Sequence, residues 1–185
     1  DILEDNNNIF IVREYIEGQS LKEIVDNFGA QAEDQVIEWA KELCDMLIYL
    51  HNQNPPHIYR DMKPANIILM KNNHIKVIDF GILKLYDESK REDTCNLGTK
   101  GYAAPEQYVG RTDARTDIYG LGVTMHHLVT GCNPNEPPYE VKAIRQINPS
   151  LSKGLEYIIS KCIEPNPDNR YQSAKELLDD LNDYK

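Results

Sequence analysis

The sequence predicts a mainly helical fold with one small β-hairpin, and three observations carry that reading. Apolar residues recur at intervals of three and four over two long stretches, 34–51 and 117–131. Two short β-branched runs, Ile67 to Leu69 and Ile75 to Ile78, flank Lys71-Asn72-Asn73, a plausible hairpin turn. The 28-residue region from Asp79 to Glu106 carries little periodic pattern and is far longer than an ordinary connection, so it has a task or lacks order.

Taken in order, the elements begin with a strand from Ile9 to Ile16, lying between an Asn-rich turn and Gly18. Ser20 opens a Ser-Leu-Lys-Glu box in which its hydroxyl caps a helix start and Glu23 caps in return, predicting a short helix over Leu21 to Asn27. After Asp34, the residues Val36, Trp39, Ala40, Leu43, Cys44, Leu47, Ile48 and His51 form one apolar stripe, and Pro55 and Pro56 end that helix. The hairpin and the long unpatterned region follow. From Asp117, the residues Ile118, Leu121, Val123, Met125, Leu128 and Val129 make a helix stopped near Gly131; lacking a clean polar face, it should be buried nearly all round. Shorter helices are expected over Tyr139 to Ile147, Leu155 to Ile163 and Ser173 to Leu181.

With 185 residues the chain is one globular domain, or one lobe of a larger one. Its 20 Lys and Arg against 30 Asp and Glu leave a net charge of -10, which repels nucleic-acid phosphates and anionic lipid, so nucleic acid is not an expected partner. No run approaches the roughly 18 apolar residues of a membrane span. The four cysteines form no CxxC pair, and the first residues lack the basic start and apolar stretch of a signal peptide, so reduced thiols in the cytoplasm are expected. The five histidines show no metal-ligand spacing, and no Gly-x-Ser-x-Gly elbow or His-Glu-x-x-His occurs.

The chemistry concentrates in Tyr59-Arg60-Asp61-Met62-Lys63-Pro64-Ala65-Asn66, a loop that places a carboxylate, an ammonium and a carboxamide within six residues, just before an apolar strand. Asp61 is suited to orient or deprotonate a hydroxyl, Lys63 to neutralise charge on a phosphoryl group, and Asn66 to hold a divalent cation. These residue types fit phosphoryl transfer, in which positioning and charge neutralisation are the main task; a salt-bridged turn is the plainer alternative. Asp79, in Ile78-Asp79-Phe80-Gly81, closes the hairpin, whose strands can return it beside Asn66 to face one cation.

These residues carry a family resemblance. The chain resembles the C-terminal lobe of a eukaryotic-type (Hanks-type) serine/threonine protein kinase of bacterial kind, without most of the N-terminal lobe. The motifs occur in register along the whole chain: the catalytic loop, Asp79-Phe80-Gly81, Gly98-Thr99 with Ala104-Pro105-Glu106, Asp117 opening a buried helix, and Arg170. The resemblance implies that residues 1–18 hold the last upper-lobe strand and the hinge, that 19–185 are the lower lobe, and that 79–106 are the activation segment.

It further implies ATP and Mg2+ (or Mn2+) as cofactors and proteins as substrates. Asp61 becomes the base, Lys63 the contact to the γ-phosphate, and Asn66 and Asp79 the metal ligands. Glu14 and Ile16 lie in the hinge that meets the adenine, with Ile68 beneath the ring. Thr99 orients Asp61 and the substrate. Arg60 would pair with a phosphorylated activation-segment residue, preferentially Thr94 rather than Ser89. Tyr59, where histidine is commoner, and Phe80 couple the site to the core. Glu106 and Arg170 form a bracing ion pair, and Asp117 holds the catalytic-loop backbone.

The residues ahead of Ile9 contain no Gly-rich loop and no lysine. The 185 residues are therefore expected to transfer little phosphate alone and to act with an N-terminal lobe in cis, in a parent that a further segment anchors to a membrane or leaves soluble. The alternatives are a non-catalytic, pseudokinase-like binding module and a lobe whose exposed cleft side drives self-association.

Overall fold

The computed structural model describes residues 2–5, 8–11, 14–79, 84–85, 98–137 and 141–184. Phe80, Ser89 and Thr94 lie outside them. Among the described residues the fold is mainly helical, with three small sheets.

Strands β1 (Ile2–Asp5) and β2 (Asn8–Ile11) form an antiparallel hairpin with Ile2 opposite Ile11. The strand expected from Ile9 to Ile16 is thus shorter, and residues 14–17 have no regular structure. Its partner β1 was not foreseen, because the run from Ile2 to Asp5 is short and half acidic. Strand β3 (Gly18–Ser20) then leads directly into helix α1 (Leu21–Phe28). The capping box forms as expected: Glu23 N donates to Ser20 Oγ at 3.1 Å and Ser20 N to Glu23 Oε2 at 2.8 Å.

Helix α2 (Glu33–His51) buries the anticipated stripe of Val36, Trp39, Ala40, Leu43, Cys44 and Leu47. It ends at Asn52, ahead of the prolines. Strand β4 (His57–Ile58) pairs with β7 (Lys84–Leu85). Between them, β5 (Ile67–Met70) and β6 (Ile75–Val77) form the predicted hairpin. It is part of a three-stranded sheet in the order β3-β5-β6, because Gly18–Ser20 lies along β5 with Ser20 opposite Ile68. Gly18 permits that approach, since a Cβ there would lie 2.3 Å from the Leu69 carbonyl oxygen.

Helix α3 (Ala114–Thr130) is the centre of the molecule, with Ile118, Leu121, Val123, Met125, Leu128 and Val129 all buried. It starts three residues before Asp117, since Asp113 accepts from Arg115 N at 2.8 Å and so caps the helix. Around it pack α2, α4 (Ile144–Ile147), α5 (Lys153–Cys162) and α6 (Ala174–Asp183). The helix expected over Tyr139 to Ile147 is confined to its last turn; Tyr139 is outside the described residues and 141–143 are not helical. A single apolar cluster joins α1, α2, α3, α5 and α6, including Leu21, Leu43, Leu121, Leu155 and Leu177. Burial of such side chains contributes about 1.5–3 kcal/mol each.

Candidate active site

The loop between β4 and β5 lies against α3, which holds it chiefly through Asp117. Asp117, 1% exposed, accepts from Tyr59 N at 2.9 Å with Oδ2 and from Arg60 N at 2.7 Å with Oδ1. Both amides would otherwise be buried donors without a sheet partner. His51, at the end of α2, shares a 2.8 Å hydrogen bond with Asp117 Oδ2. Thr124, two turns further along α3, donates to the Met62 carbonyl at 3.3 Å.

This support holds an unusual backbone. Arg60 has φ of 67° and Asp79 has φ of 62°, in the left-handed region that non-glycine residues adopt uncommonly. Both residues stand at the loops that carry the candidate chemistry.

Asp61 is the focus of the polar groups. Its Oδ2 accepts from Lys63 Nζ at 2.6 Å and from Asn66 Nδ2 at 2.9 Å, and its Oδ1 accepts from Thr99 Oγ1 at 2.7 Å. Lys63 Nζ also donates to Thr99 Oγ1 at 2.6 Å. The structure thus brings together four residues named from the sequence, Asp61, Lys63, Asn66 and Thr99, the last from 36 residues beyond Lys63. Asp61 and Lys63 remain partly open to solvent, with side chains 13% and 21% exposed.

Asn66 closes a short 3-10 turn, Pro64–Asn66, and its carbonyl accepts from Ile78 N at 2.8 Å. That bond draws the chain entering Asp79 alongside Asn66. With its Nδ2 on Asp61, the Asn66 amide oxygen turns away from that carboxylate. Asn66 and Asp79 each carry a side-chain oxygen, the donor type that suits Mg2+, which keeps several waters and uses few protein ligands. Among the described residues no three His, Cys, Asp or Glu side chains converge as a metal site.

Tyr59 is fully buried and donates to the Ile78 carbonyl at 2.9 Å, tying the loop to the end of β6. Burial, reinforced by the carboxylates of Asp61, Asp79 and Asp117 and opposed by Asn66, raises its phenol pKa, so it remains a neutral donor. Glu106 and Arg170 meet as a buried fork, at 2.7 and 2.9 Å. Glu106 also accepts from Thr116 Oγ1 at 3.0 Å. Elsewhere, Glu14 pairs with Lys76 at 2.8 Å, and Glu14 and Ile16 line a shallow groove with Met70 and Lys71. Ile68 stands two residues before Met70 on β5.

Three residues escaped the sequence reading. His51 sits on the apolar stripe of α2, so nothing in its spacing separates it from a core residue. Gln107, 4% exposed, donates from Nε2 to the Arg60 carbonyl at 3.0 Å and accepts from Ala104 N at 2.9 Å. A Gln three residues after a helix-capping position is a readable signal, but alanine at 104 removes the usual capping partner. His127 shares a 2.6 Å hydrogen bond with the Tyr102 hydroxyl, anchoring the turn that begins at Thr99.

Burial is the main reason that the His127 pKa falls from 6.5 to about 4; Asp26 and Glu136 oppose the shift, while Lys22 and His126 add to it. Because the folded pKa lies below the unfolded one, the stabilisation is complete above about pH 6.5 and is lost as pH falls towards about 4. Thermal melts across that window should show this loss for the wild type and a shallower dependence for His127→Gln.

The profile of the protein kinase domain family matches residues 1–181. A probable serine/threonine-protein kinase of Clostridium acetobutylicum is 34% identical over 198 residues, spanning all of this chain and 30% of that protein. Serine/threonine-protein kinase PknB of Mycolicibacterium smegmatis is 36% identical, over 93% of this chain and 30% of its own length. A probable serine/threonine-protein kinase of Clostridium perfringens is 38% identical, over 95% of this chain and 27% of its own. The chain belongs to the protein kinase domain family, and its relationship is to bacterial serine/threonine kinases of the PknB kind. It spans less than a third of the length of these relatives. No helix among the described residues is long and apolar enough to cross a membrane.

Proposed function

We propose that the chain is the lower lobe of a serine/threonine protein kinase that transfers the γ-phosphoryl group of ATP to protein hydroxyls. In this reading residues 1–18 are the last upper-lobe strand and hinge, 19–185 the lower lobe and 79–106 the activation segment. The observation that carries it is the Asp61 carboxylate, held by Lys63, Asn66 and Thr99 on a loop that Asp117 fixes from below.

Asp61 accepts the proton of the substrate hydroxyl, and its three hydrogen bonds aim it without removing its charge. Lys63, already beside Asp61, places positive charge where the transferring group becomes more negative. Thr99 links the activation segment to the base and thereby sets where the substrate backbone runs. Asn66 and Asp79 would hold Mg2+, which neutralises phosphate charge when bound. Glu14, Ile16 and Ile68 would meet the adenine, and Arg60 would meet a phosphate on Thr94.

The Gly-rich loop, strand lysine and helix glutamate come, in this reading, from residues other than these 185. The complete protein should transfer label from [γ-32P]ATP to the Ser or Thr residues of a basic test protein and stop when EDTA removes Mg2+. The 185-residue chain alone should transfer little or none. If the complete protein binds Mg·ATP and transfers nothing, the chain is instead a non-catalytic regulatory module.

A further inference from the structure

We infer that Gln107 is a positioning residue for Asp61, the link through which segment 98–107 sets the backbone of the catalytic loop. The inference deepens the kinase reading and rests on it. Arg60, immediately before Asp61, is held at φ of 67° with its peptide groups tied on both sides. Its N–H goes to Asp117 Oδ1 at 2.7 Å, while its carbonyl takes Gln107 Nε2 at 3.0 Å. Asp117 belongs to the buried central helix, whereas Gln107 belongs to the segment that carries Thr99. Gln107 therefore makes the Arg60 conformation depend on where that segment lies.

The carboxamide is the group this bridge requires. Its donor end reaches the loop and its acceptor end takes Ala104 N at 2.9 Å, so one planar group spans two chain segments. Gly98 is shaped to it: a Cβ there would lie 2.6 Å from Gln107 Nε2. On the other side, the neighbouring Glu106 is clamped by Arg170, which fixes the backbone from which Gln107 projects. Two routes then run from segment 98–107 to Asp61, a side-chain route through Thr99 and a backbone route through Gln107 and Arg60.

The test compares Q107E and Q107M with the wild type in the complete protein. Q107E keeps an acceptor for Ala104 N but sets a carboxylate oxygen against the Arg60 carbonyl; Q107M removes both bonds at similar volume. The expected result is that Q107E lowers kcat by about tenfold or more, and more than Q107M does, with KM for ATP little changed, as for a misplaced base. The Q107E deficit should narrow as pH is lowered, because the protonated carboxyl again donates to the carbonyl. Wild-type kcat in Q107E together with a lower melting temperature in Q107M would overturn the inference, since the residue would then only cap the turn Pro105–Val109.

Amide hydrogen exchange at Arg60 provides a readout independent of turnover. Faster exchange in both variants supports the link, and unchanged exchange overturns it. Should the wild-type protein transfer no phosphate, the kinase reading fails by itself and the exchange measurement alone decides the link.

Discussion

Asp61→Asn should lower phosphoryl transfer by the complete protein by about 10²- to 10⁴-fold, the range associated with loss of a general base. The substitution preserves volume and keeps an oxygen for Thr99, so the loop has no steric reason to move. What disappears is the negative charge that Lys63 approaches at 2.6 Å, the side-chain acceptor that Asn66 Nδ2 uses at 2.9 Å, and the capacity to accept a hydroxyl proton; Asn66 Nδ2 keeps the Asp61 carbonyl at 3.0 Å. The loop itself is held through Asp117, which the change does not touch. The melting temperature should therefore stay near that of the wild type while kcat collapses. Radiolabel transfer and thermal melting on the same preparation check both halves. Activity within about tenfold of wild type would show that Asp61 is not the base.

Arg170→Met should produce the largest loss of stability, about 3–5 kcal/mol, because it leaves the Glu106 carboxylate buried without its cation. Arg170 is 2% exposed and binds far more than one partner. Besides Glu106, it donates to the carbonyls of Glu164 at 2.7 Å and of Pro165 and Arg115 at 3.1 Å. Its guanidinium also lies over the Tyr119 ring at 4.8 Å. The three carbonyls lose donors along with the carboxylate. Chemical denaturation measures the loss, and Glu106→Gln combined with Arg170→Met should recover part of it, since no charge then stays uncompensated. Equal stability of single and double variants would place the cost in the carbonyls and not in the ion pair.

Much of this was legible in the sequence because local rules agreed with tertiary ones. The Ser20 box, the α2 stripe and the α3 run without a clean polar face each announced an element that the fold kept. Where the reading fell short, the missing information was non-local. Strand β3 is three residues long, too short for any period, and it exists because β5 offers it an edge. The start of α3 was misplaced by three residues because the cap is an aspartate four positions ahead of the residue that drew attention. The Gln107 bond to Arg60 and the His51 bond to Asp117 have the same non-local origin, spanning 47 and 66 residues.

By itself, the sequence determined the helical class, the family motifs and which residue types carry the candidate chemistry, because periodicity and spacing within a few residues encode them. Only the tertiary structure decided that Lys63, Asn66 and Thr99 converge on one carboxylate, that Arg60 is held in a left-handed backbone between Asp117 and Gln107, and that Arg170 is buried against Glu106. The Thr99, Asp117, Gln107 and Arg170 bonds join segments 38 to 64 residues apart, and the short-range Lys63 and Asn66 bonds form on a loop whose backbone those long-range contacts hold.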